Sequence, residues 1–152
     1  MRNYPCNSPE AAARLVALVL IADGHVSRVE LDALETMQVE QTLGLAPGGF
    51  AEVVRHTCED LMLGASGQAS LVCQVDEQTL DLLLDEVTDP ALQQCTLLLA
   101  AAVAVADRHM ADAESVVLEA AHRRWHQTHV QSLCTGPLMQ GLPPAPVTLP
   151  AP

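Results

Sequence analysis

Oxygen ligands in a repeated arrangement are the chemistry this chain offers. Asp23 and Glu30 flank a short corner carrying His25. Asp107 and Glu114 flank a second corner carrying His109, with every position displaced by 84 residues (Asp107 against Asp23). An aspartate at the C-terminal end of a helix faces the negative pole of the helix dipole, which costs about 0.3–1 kcal/mol. Asp23 and Asp107 each therefore want a partner: the next helix's N-terminus, an arginine or a cation. Four converging carboxylates would select a hard ion such as calcium, magnesium or manganese over zinc or copper. A purely structural role competes with this. Glu30 can be the capping-box partner of Ser27, and Asp23 can close an Asx turn onto Gly24-His25. Ala111 stands where Ser27 stands in the first copy and has no capping side chain, so Glu114 is less easily explained unless Asp112 caps in a shifted register. Neither corner is an EF-hand, because the alternating acidic ligands are missing.

The other chemistry-bearing residues form weaker patterns. His122, His126 and His129 share one helix face, and helical i, i+4 histidines can ligate zinc, but no H-E-x-x-H context or third carboxylate accompanies them. A solvated face near a helix C-terminus explains them better. Asp76, Glu77, Asp81, Asp85, Glu86 and Asp89 read as one wet acidic face with a capacity to dock a partner. Cys6, Cys58, Cys73, Cys95 and Cys134 have no CxxC spacing, and an odd, scattered set reads as reduced thiols of a cytoplasmic protein. No nucleophile elbow and no phosphate-binding glycine loop occur.

The elements that must position these residues are helical. Ala and Leu dominate the apolar fraction, and Tyr4, Phe50 and Trp125 are all the aromatics, which favours helices over sheet. Residues 1–8 read as a polar leader. Pro9 suits the first turn of a helix to about Ala22 that is apolar on every face from Leu15 and must be surrounded by protein. Ser27 caps a second helix expected to run unbroken to Leu43, where Gly44 supplies the C-terminal stop. Further helices are expected from about Phe50 to Met62, from Asp76 to Val87, from Asp89-Pro90 to Ala106 (again apolar all round) and from Asp112 to His129. A short helix over 68–75 is a weaker expectation. The chain beyond Thr135 carries Pro137, Pro143, Pro144, Pro146, Pro150 and Pro152, and is expected to be a disordered tail. The result is an all-α domain over 9–134, a compact bundle of about seven helices with Leu18, Val19, Leu99 and Val103 in its core.

A net charge of −12 disfavours nucleic acid and anionic membrane as partners, since both need a basic patch. A divalent cation or a basic protein fits it better. The apolar runs Arg14–Ala22 and Thr96–Ala106 are too short to span a bilayer, so membrane insertion is not expected. The first has no cleavage-site pattern of a signal peptide.

The two corners belong to a repeat. Ala22-Asp23-Gly24-His25-Val26 with Glu30, Leu34 and Glu35 is matched by Ala106-Asp107-Arg108-His109-Met110 with Glu114, Leu118 and Glu119. An apolar helix ending Ala-Asp-Gly, a corner, then Glu in the next helix, twice in one chain, resembles the TerB-like family of tellurite-resistance domains over about residues 9–128. The resemblance implies an all-α fold, a role in stress response or assembly, and a metal at the acidic corners, here Asp23, Glu30, Asp107 and Glu114. Arg108 departs from the pattern, where glycine is usual, and a guanidinium there could take the place of a metal. The expectation is a binding or scaffolding module with a protein partner and no enzymatic activity. The alternative is a metal-dependent hydrolase-like enzyme using the same carboxylates, which would show a pocket of several hundred Å³ at the corners.

Overall fold

The structure, a computed structural model, describes residues 2–22, 24, 26–64, 75–106 and 112–134. Within these residues the chain is helical and has no strand. The helices are α1 (Pro9–Ile21), α2 (Arg28–Thr36), α3 (Val39–Leu43), α4 (Gly49–Gly64), α5 (Glu77–Asp85), α6 (Pro90–Ala106) and α7 (Asp112–Cys134). Most of 68–75 and all of the proline-rich segment beyond Cys134 lie outside the described residues.

Local chemistry sets the helix starts. Ser8, Ser27, Asp76 and Asp89 each accept a hydrogen bond from a backbone N–H of the first turn that follows, at 2.8–3.2 Å. Each satisfies a donor with no intrahelical partner. Thr79 donates to Asp76 through both its N–H and its hydroxyl, and these bonds hold that carboxyl below its ordinary range.

α1 sits at the centre, against α3, α4, α5, α6 and α7. Every residue from Ala11 to Ala22 is buried, as an all-round apolar helix demands. Leu99, Val103 and Ala104 of α6 close on it, and Trp125 of α7 fills the far side with its indole N–H directed at the Leu84 carbonyl. Leu18, Val19, Leu99 and Val103 are all core residues, as the sequence implies. α6 differs from the expectation of a helix surrounded on every side. Leu98 and Val105 remain 58% exposed, because α6 is packed by α1, α2, α3 and α7 but has no described neighbour on that stripe.

The expected single helix from Ser27 to Leu43 is two helices. Gln38 adopts φ 50°, ψ 52°, which breaks the i→i−4 ladder and redirects the chain into α3. Gly44, at φ 82°, ends α3, and the Leu45 N–H returns to the Glu40 carbonyl at 2.7 Å. This is the 6→1 bond of a Schellman stop.

The leader is bound to the helices. The Arg2 N–H donates to Asp60 Oδ2 at 2.6 Å and its guanidinium pairs with Glu59, also at 2.6 Å. Asn7 receives the N–H groups of Thr88 and Asp89 on its side-chain oxygen at 2.7 and 2.8 Å, and donates its own N–H to the Glu86 carbonyl. Residues 2–8 therefore bridge α4 and the turn before α6.

Candidate functional site

Of the four corner carboxylates, Asp23 and Asp107 lie outside the described residues, as do His25 and His109. Glu30 and Glu114 are described, and both are almost fully buried, at 2% and 1% exposure. Glu30 is in a complete capping box. Ser27 N–H donates to Glu30 Oε2 at 2.7 Å while Glu30 N–H donates to Ser27 Oγ at 3.2 Å. Glu114 is the third residue of α7, as Glu30 is of α2. A glutamate at that position can reach back to the N-cap backbone N–H whatever the N-cap side chain is. The lack of a capping side chain at Ala111 is therefore no argument against a structural role for Glu114. Among the described residues no three His, Cys, Asp or Glu side chains are grouped to hold a metal ion.

The histidine face is partly described. His122 and His126 are exposed and their rings lie 4.4 Å apart, tilted by 43°, while the side chain of His129 is outside the described set. The acidic run is largely exposed, with Asp81 and Glu86 half-buried, and several of its members have set partners. Asp76 and Asp89 cap α5 and α6, and Asp85 takes three bonds from the Arg124 guanidinium of α7, at 2.7, 2.8 and 3.1 Å. That pairing raises the Arg124 pKa. Glu86 turns inward to the Arg14 guanidinium. Cys58 and Cys95 pack half-buried against the core, as small hydrophobes do.

Sequence reasoning passed over a charge as buried as Glu114. Arg14 is 1% exposed, in a helix otherwise treated as apolar. It donates to the Arg2 carbonyl at 2.6 Å, pairs with Glu86, and lies with its guanidinium carbon 4.8 Å from the centre of the Tyr4 ring, while its Nε has no partner. Burial raises the Tyr4 pKa, against the opposing pull of Arg14 and Arg2. The signal was available. One arginine heading a helix buried on every side must be paired, and the leader supplies a ring and a carbonyl within reach.

Two surface grooves lie among the described residues. The first, about 390 Å³, runs between α5 and α7 past Leu80, Asp81, Val116, Glu119 and Arg123, and ends at Val75, beside residues outside the described set. The second, about 360 Å³, lies between α2, α3 and the start of α4, with Leu34, Val39 and Phe50 as floor and Leu31, Glu35 and Glu40 at its edge. Neither Glu30 nor Glu114, the described corner carboxylates, lines either groove. No described helix is long and apolar enough to cross a membrane. In comparisons with known proteins the chain matches no family model, no curated protein and no solved structure.

Proposed function

We propose that the chain is a binding or scaffolding module of the TerB-like kind that engages a protein partner through its surface grooves. The observation that carries this reading is the character of those grooves. They are clefts between helices with apolar floors and charged edges, which suits the side chains of a protein partner. The role in stress response or assembly comes with the family resemblance. Affinity capture of the tagged chain after cross-linking in its native cell should return a stoichiometric protein complex. Recovery of the chain alone at native abundance would overturn the reading.

A second reading adds calcium, magnesium or manganese at the corners, and the burial of Glu30 and Glu114 at matched positions favours it. Calcium at about a hundredfold over its dissociation constant should then add roughly 2.7 kcal/mol. For a domain of this size that raises the melting temperature by about 5–10 °C. Asp23→Asn combined with Asp107→Asn should abolish the shift and leave helicity intact. A calorimetric titration with no heat, and no thermal shift, would leave Glu30 and Glu114 as helix caps alone.

A further inference from the structure

We propose that the groove between α2, α3 and α4 docks a peptide segment whose large apolar side chains are flanked by Lys or Arg. This rests on the binding-module reading and names the chemistry of the partner. The groove is shaped by the left-handed Gln38, which turns α3 away from the line of α2 and leaves the apolar faces of both helices at one cleft. A non-glycine residue held at positive φ costs backbone energy that the surrounding packing must offset. Leu34, Val39 and Phe50 line the cleft although each is at most 7% exposed, and Leu31 stands at its edge 46% exposed. A partner's apolar side chain would therefore meet a floor that is already rigid, which spares the ordering cost of binding.

The edge decides the sign of the partner. Among the described residues Glu35 and Glu40 are the charged ones that line the cleft, and no described basic side chain lines it. Glu40 is fixed there by accepting the Phe50 N–H at 3.2 Å, and neither carboxylate has an ion-pair partner among the described residues. Two unneutralised carboxylates beside an apolar floor, on a chain of net charge −12, attract a cationic segment and repel an acidic one. The α5–α7 groove lacks this signature, since Arg123 and Arg124 stand in it beside its acidic residues.

The test is a random dodecapeptide phage library selected on the full chain, with enriched sequences resynthesised and titrated by fluorescence anisotropy. Enriched peptides should combine large apolar residues with adjacent Lys or Arg. Raising salt from about 0.05 to about 0.5 M should weaken them. Leu31→Asp should weaken binding by about tenfold or more, as loss of an apolar anchor does. Glu35→Arg should weaken it about fivefold through the edge charge. Both residues are exposed, so the variants should melt with the wild type; Ala51→Arg, also at the exposed edge, gives an independent block of the cleft. Acidic peptides, no enrichment, or binding indifferent to all three substitutions would overturn the proposal. If the library fails while cellular capture still returns a complex, the groove assignment falls and the module reading stands. If groove peptides emerge while the cell yields the chain alone, the groove assignment holds and the module reading falls.

Discussion

Arg14 and Glu86 show how much a single pair can cost when one member is deep in the fold. The guanidinium is buried beneath the leader, while the carboxylate keeps about a fifth of its side chain exposed, at 19%. Removing one partner of such a pair leaves an uncompensated buried charge, whereas replacing the charge itself by an apolar side chain can be nearly neutral. Glu86→Ala should therefore lower stability by about 3 kcal/mol, at the low end for breaking a buried pair. Arg14→Met should cost clearly less, because the Glu86 carboxylate can turn to water. Urea denaturation of the two variants decides it, and an equal or larger loss in Arg14→Met would mean that the Tyr4 and Arg2 contacts hold the region together rather than the ion pair. Glu30 teaches a second lesson at this scale. Its spacing from Ser27 made a capping box readable, and the reciprocal bonds form as the spacing implies.

At the scale of elements, most helix boundaries were legible because they are local. A side-chain oxygen three residues ahead of an apolar periodicity, or a glycine after it, acts within one turn. The break between α2 and α3 was not legible. The heptad-like pattern runs through Met37 and Gln38 without a glycine, proline or asparagine to mark a stop. Nothing in the propensity of Gln foretells φ 50°. A left-handed L-residue costs roughly 1–2 kcal/mol, and glycine gives back about half of that relief through a more flexible unfolded chain. Gln38→Gly should therefore stabilise the domain by about 0.5–1 kcal/mol, read as a higher urea midpoint at unchanged slope. A loss instead would mean that the Gln38 side chain makes a contribution of its own at the groove.

At the scale of the whole molecule, α1 and α6 form the axis about which the others pack. Leu99 is fully buried where α6 meets α1, and the surrounding helices cannot all move to refill its space. Leu99→Ala should cost about 2–5 kcal/mol in chemical denaturation. A loss below about 1 kcal/mol would place that side chain in a region that relaxes freely. The leader adds to the same scale, since residues 2–8 join α4 to the turn before α6 through Arg2 and Asn7.

The helical class, the positions of α1 and α6, the core residues and the caps were written in composition and periodicity, because each depends on neighbours three or four positions away. Contacts between distant residues had no such local mark. The pairing of Arg14 with Glu86, the docking of Arg2 on Glu59 and Asp60, the division of the acidic run among caps and ion pairs, and the exposed stripe of α6 depend on which faces meet. The groove at Gln38 belongs with them. Its floor comes from Leu34, Val39 and Phe50, on three helices, and only their packing makes them one surface.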